Sequence, residues 1–213
     1  MKVTLLHYTP LWVCAKAIRT CWDSHDKSDT VDGICGERDK ALIERVGNKN
    51  KHSSTLEHLV YTFSIDGISR ACLQELARHR MASLSVKSTR YTLKKLKDVY
   101  FTIPTNDVEW ETISNYVVLT GETVTDTYVA KSLQNLCDTI RQSSDSSDTV
   151  KYQLPEAFKT SLVWTINARS LQNFLNLRSS KHALWEIREL ASVIYFTLPD
   201  EHKYLFKEYL HDC

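Results

Sequence analysis

Two stretches of strict alternation constrain this chain more than any other feature. In residues 58–66, HLVYTFSID, Leu59, Tyr61, Phe63 and Ile65 fall on one side of an extended chain, with His58, Val60, Thr62 and Ser64 on the other. Residues 161–167 repeat the pattern, with Leu162, Trp164 and Ile166 set against Ser161, Val163, Thr165 and Asn167. A period of two gives each strand one apolar face, as in a sheet covered on a single side. Parallel sheets, buried on both faces, read instead as unbroken apolar runs. Further strands are expected over 2–8 and 98–103. Helical patterns fill 11–23, 38–47 (ended by Gly47), 68–78, 107–119, 123–142, 169–180 and 183–196, with a short helix from 200. The expected fold is α+β, a central mixed or antiparallel sheet flanked by helices. The 213 residues suit one domain, 1–213. The stretch QSSDSSDTV (142–150) reads as a solvated loop inside it rather than a boundary.

Composition narrows the chemistry. Apolar residues make up 42% and charged residues 25%, ordinary shares for a soluble globular protein. Only five glycines are present, and neither GxGxxG nor GxxxxGK(S/T) occurs, so any nucleotide is held without a glycine cradle. The six cysteines (Cys14, Cys21, Cys35, Cys72, Cys137 and Cys213) form no CxxC pair, and no Cys or His cluster has ligand spacing, so no metal is expected. His52, Glu57 and His58 do not match HExxH. The opening MKVTLLHYTP lacks a signal-peptide core and reads as a first strand. No membrane span is visible, and reduced thiols in a cytoplasm are the expectation. Cys72 shares an apolar helical stripe with Ile68, Leu73 and Leu76 and is expected in the core.

Charge is distributed unevenly. The net charge is +1, yet Leu76 to Lys97 holds no acid and carries Arg78, Arg80, Lys87, Arg90, Lys94, Lys95 and Lys97. Cations favour a helix C-terminus, which accounts for Arg78 or Arg80 but not for Arg90, Lys94 and Lys95. A loop holding a phosphate through arginine forks and serine hydroxyls fits the cluster. So do a nucleic-acid patch and a solvated face. The near-neutral charge and the lack of an RRM, KH or helix-turn-helix signature weigh against nucleic acid.

A second anomaly lies in WTINARSLQNFLNLRSSKHALWEIR (164–188). Stepping along the apolar stripe from Leu171 through Phe174 and Leu175 lands on Arg178. A buried arginine needs a partner, either a carboxylate such as Glu186 or Glu189 or a ligand anion. Asn167 and Arg169 stand at a strand-to-helix join, where side chains cap the helix or line a site. Asn173 shares a helix face with Arg169. His182, four beyond Arg178, is a site residue or an ordinary surface histidine.

Arg78-His79-Arg80, seven residues, Ser88, then Arg90 and Tyr91 resembles the signature of the flavin-dependent thymidylate synthases. HSSTLEH (52–58), VKYQLP (150–155) and NARSLQNFLNLR (167–178) with His182 and WEIR resemble three further family blocks, in order, over about residues 50–190. The resemblance implies reductive methylation of dUMP to dTMP. The carbon would come from 5,10-methylenetetrahydrofolate and the hydride from NADPH through FAD, in a homotetramer with shared active sites. It implies flavin contacts at Ser54, Arg78, His79, Arg80, Asn167, Arg169, Asn173 and His182. It implies dUMP contacts at Arg78, Ser88, Thr89, Arg90 and Lys151, with Arg178 at the uracil edge assisting ionisation at N3. The position often filled by glutamine in the family is Glu75 here, beside Gln74, and either side chain could meet the base. Lys151 replaces an arginine, and Val86 stands where some members carry glutamate. Ser88 is expected to contact phosphate rather than act as a nucleophile. The rival readings are a non-catalytic flavin or nucleotide binder and an RNA-binding module built on the basic loop.

Overall fold

The structure, a computed structural model, describes residues 1–142 and 146–211. Ser143, Ser144 and Asp145 of the expected loop, and Cys213, lie outside the described residues. The chain forms two compact units. The first comprises Met1–Ile65, Glu75–Ser85 and Val163–Cys213; the second comprises Asp66–Gln74 and Val86–Leu162.

The first unit is built on the sheet that the alternating segments demand. Strands β1 (Lys2–Tyr8), β2 (Val60–Ser69), β3 (Ala82–Val86) and β4 (Lys159–Asn167) take the order β1-β2-β4-β3. Leu59 O accepts from the Ala168 amide at 2.7 Å, and the Thr62 and Thr165 hydroxyls meet at 3.0 Å. One index rises as the other falls, so β2 and β4 run antiparallel. Thr9 N donates to Val60 O at the end of β1 and the start of β2, which makes that pair antiparallel as well. Tyr61, Phe63 and Ile65, and across from them Trp164 and Ile166, are buried. They pack against α8 (Ala168–Arg178) through Leu171, Phe174 and Leu175, and the core includes Ile187, Leu190 and Ile194 of α9 (Trp185–Thr197). Trp164 sits edge-on to Phe174 at 5.0 Å, and Phe174 edge-on to His79 at the same spacing. This aromatic stack carries the core up to a polar cavity at the end of α8.

Two expectations fail in this unit. Helix α2 (Glu37–Ile43) does not end at Gly47 but runs on as a π-helical turn, Glu44–Lys49. Gly47 is a packing residue: a Cβ there would come within 2.8 Å of the buried Leu56 side chain. His58 does not open β2; it closes a 3-10 helix, Ser53–His58. By contrast α1 (Leu11–Cys21) begins after Pro10 as expected. Cys14 and Cys35 are buried free thiols and Cys21 is an exposed one.

The second unit carries the first residues of α3 (Arg70–Ala77), as far as Gln74, with α4 (Thr89–Thr92), α5 (Asp107–Ser114), α6 (Thr123–Gln142) and α7 (Ser147–Val150). Its core gathers Leu93, Leu96, Phe101, Ile113, Leu133 and Leu136. Cys72 is buried and Cys137 belongs to this core. Among the described residues, 98–103 form no strand. The Arg141 guanidinium covers the Tyr100 ring at 4.1 Å and donates to Val99 O at 2.5 Å, so α6 serves this segment in place of a neighbouring strand. The helix expected to 119 ends at Ser114, and Val117 pairs with Phe158. Strand β3 lies inside the basic loop, where serines dilute its alternation. Ser147–Val150, expected as loop, is a short helix. Among the described residues no helix is long and apolar enough to cross a membrane.

Candidate functional site

A cavity of about 1230 Å³ opens in the first unit. Three segments bring the expected site residues to it. The end of α3 and the turn after it bring Glu75, Arg78, His79 and Arg80; the β4–α8 join brings Asn167, Arg169 and Asn173; the end of α8 and the turn beyond it bring Arg178 and His182. Nine of the expected site residues therefore line one cavity, with Glu57 beside them. Among them are Arg78 and Arg80 from one stretch of the chain and Arg169 and Arg178 from another far along it.

The local chemistry explains how they are held. Asn167 caps α8, its Oδ1 accepting from Ser170 N at 2.9 Å, and it also lines the cavity. Arg169, in the first turn of α8, donates to Glu57 at 2.7 Å, and both side chains are about half exposed. Arg178, on the last turn of α8, is the most constrained. Its Nη1 donates to Glu75 Oε2 at 2.5 Å, its Nη2 to the Glu75 carbonyl at 3.1 Å, and its Nε to His79 Nε2 at 2.9 Å. The carboxylate partner is thus Glu75 and not Glu186 or Glu189. The last turn of α8 faces the end of α3, while Glu186 and Glu189 belong to α9.

His79 is buried. Burial, with the Arg178 charge added, pushes its pKa down to about 4. It is neutral near pH 7, and because Nε2 accepts from a guanidinium, its proton sits on Nδ1.

Other expected residues lie elsewhere. Ser54 lines a separate cavity of about 380 Å³ with Lys51, His52 and Trp22; Arg169 lines both cavities. Gln74 donates to Glu156 at 2.8 Å in the second unit, so of the pair Gln74 and Glu75 it is Glu75 that faces the large cavity. Ser88 stands at the N-cap position of α4 without a side-chain cap hydrogen bond, and Thr89 and Arg90 follow in the helix. Arg90 Nε meets Asp148 Oδ1 at 2.6 Å, and Lys151 Nζ lies 3.7 Å from the same oxygen. The two cations that the resemblance assigns to phosphate thus converge on one carboxylate. Among the described residues no hydrogen bond joins the Ser88 hydroxyl to a histidine or carboxylate.

Asn176, Ser180 and His211 also line the large cavity and were missed. Asn176 and Ser180 continue the polar stripe 169, 173, 176, 180, which helical spacing alone displays. His211 reaches Asn176 O at 2.9 Å from near the chain's end, with no pattern to announce it. Among the described residues no three His, Cys, Asp or Glu side chains gather as a metal site.

The family model described as Thy1, thymidylate synthase complementing protein, matches residues 4–202. The flavin-dependent thymidylate synthase of Wolinella succinogenes is 58% identical over 207 residues, covering 97% of each chain. That of Campylobacter jejuni strain RM1221 is 58% identical over 212 residues, 99% of this chain and 98% of the other. A crystal structure of the Helicobacter pylori flavin-dependent thymidylate synthase, complexed with FAD and dUMP, superposes with a TM-score of 0.93 at 49% identity, covering 99% of this chain and all of that one. With Arg78 and Arg80 of the signature lining one cavity and these relatives matched end to end, the chain belongs to the flavin-dependent thymidylate synthase family.

Proposed function

We propose that this protein converts dUMP to dTMP in the cytoplasm, as a homotetramer whose 213-residue chain acts as one domain, with 5,10-methylenetetrahydrofolate as carbon donor and NADPH as reductant through FAD. The observation behind this reading is Arg178 fixed in a large polar cavity by Glu75 and neutral His79. The cavity suits FAD: it is large, and Arg78, Arg80 and Arg169 offer cations to an anionic cofactor around the amides of Asn167 and Asn173. His182 and, from the smaller cavity, Ser54 are its further contacts. Bound FAD supplies the hydride chemistry that no side chain can.

The remaining chemistry falls to the chain. C5 of uracil is a poor nucleophile, and drawing charge onto N3 pushes electron density toward it. Arg178 meets the N3 edge and stabilises that charge from a preorganised position. Ser88, Thr89, Arg90 and Lys151 take the phosphate, with Lys151 attracting as a point charge where a guanidinium would bind as a fork. Ser88 serves as a loop and phosphate contact, which agrees with the lack of a base beside its hydroxyl.

The purified protein is expected to be yellow, or to become yellow with FAD, and to oxidise NADPH faster when dUMP is added. A colourless protein that takes up no FAD and retains RNA in a salt-dependent way would overturn the reading in favour of an RNA-binding module.

A further inference from the structure

The guanidinium of Arg178 offers five N–H donors. Three are committed: Nε to His79, one Nη1 hydrogen to the Glu75 carboxylate and one Nη2 hydrogen to the Glu75 carbonyl. Two remain, one on each terminal nitrogen. Glu75 therefore grips both ends of the fork without consuming it, and Arg178 can meet a ligand while still held. Both side chains are largely shielded, at 16% and 33% exposed for Arg178 and Glu75, so water screens their pairing only in part. His79, the third member, is neutral and adds no charge. The cluster of Arg178, Glu75 and His79 thus carries no net charge at neutral pH.

We propose that Glu75 is a positioning residue with two opposed effects: it fixes the orientation of Arg178, and its carboxylate offsets the Arg178 charge and so limits how strongly the cavity favours a pyrimidine ionised at N3. The inference rests on reading the cavity as the dUMP site. A glutamine at position 75 would hold the guanidinium through its amide oxygen and add no negative charge. The two effects are therefore separable by substitution. Glu75→Gln keeps an acceptor for Nη1 and removes the charge. Glu75→Ala removes both the acceptor and the charge.

The probes are dUMP and 5-fluoro-dUMP, whose fluorine acidifies the N3 proton so that far more of it is ionised at mildly alkaline pH. Affinities for both are measured by calorimetry on the FAD-loaded wild-type, Glu75→Gln and Glu75→Ala proteins, from about pH 6 to about pH 9. Glu75→Gln is expected to tighten 5-fluoro-dUMP by roughly tenfold at the alkaline end, the effect of about one unit of N3 pKa, and to leave dUMP within about twofold at the acid end. Glu75→Ala is expected to weaken both ligands at every pH, because Arg178 loses its hold. A merely structural Glu75 would change both ligands in parallel. An unchanged ratio of the two affinities in Glu75→Gln across the pH range overturns the proposal. Absence of dUMP binding in the wild-type protein instead overturns the reading of the cavity on which it rests.

Discussion

Arg178 and the two buried histidines decide what single substitutions do here. In Arg178→Ala the uracil edge loses its cation, and dTMP formation is expected to vanish, read as product by chromatography. The fold should survive, read as an unchanged circular dichroism spectrum. Glu75, a third exposed, can rehydrate when its partner is removed, so the penalty for a stranded buried charge is not incurred in full. Ser88→Ala should be impaired but still turn over, whereas a dead Ser88→Ala that binds dUMP normally would contradict the role given to Ser88. The acid response comes from His79 and His202. Burial holds both pKa values at about 4, against an ordinary 6.5. His79 faces Arg178 and Glu75, and His202 faces the Tyr61 hydroxyl at 2.7 Å and Glu201 at 3.7 Å. As pH falls below 6.5 the unfolded chain takes up these protons first, while the native protein resists until about 4. Their contribution is intact above 6.5, is lost between 6.5 and 4, and does not change further below. Urea midpoints should fall across that window; a flat profile there would refute it. Asp39, held below its ordinary value by hydrogen bonds from Ser28, Arg19 and Thr30 against the cost of its burial, adds its own loss at still lower pH.

At the scale of elements, helix α2 and its π-helical continuation show what periodicity misses. A glycine at the end of a polar stretch resembles a stop signal, but Gly47 is there because Leu56 occupies the space of its side chain. Gly47→Ala gains about 1 kcal/mol of helix propensity and loses about 1–3 kcal/mol to overpacking against buried Leu56. A net destabilisation is expected, seen as a lower urea midpoint with unchanged slope; a raised midpoint would show that Leu56 has room to move. The strands were legible for the opposite reason: alternation in β2 and β4 reflects one buried face, and the inward residues Tyr61, Phe63, Trp164 and Ile166 are fully or almost fully shielded. Strand β3 was not legible, because Ser83 and Ser85 alternate with residues that are only partly buried. The mistaken strand at 98–103 arose because its apolar residues serve a helix-lined core through Phe101 rather than a sheet face. Within the site, Arg178 announced itself as an arginine on an apolar stripe, but its partner did not. Glu75 lies 103 residues away, and the nearer acids Glu186 and Glu189 were the natural candidates on spacing alone.

For the molecule as a whole, the cavity of the first unit gathers arginines from two distant segments, and the second unit sets Arg90 and Lys151 against one carboxylate. Family membership rests on the end-to-end match with the relatives. If these cations serve methyl transfer to a uracil ring, the carbon can be traced from donor to product. Methylenetetrahydrofolate deuterated at its one-carbon unit is incubated with the FAD-loaded protein, NADPH and dUMP, and the nucleotide is analysed by mass spectrometry. Deuterium is expected in the methyl group of dTMP from the wild-type protein and none from Arg178→Ala; a wild-type protein that binds FAD and dUMP yet forms no labelled dTMP would refute that role.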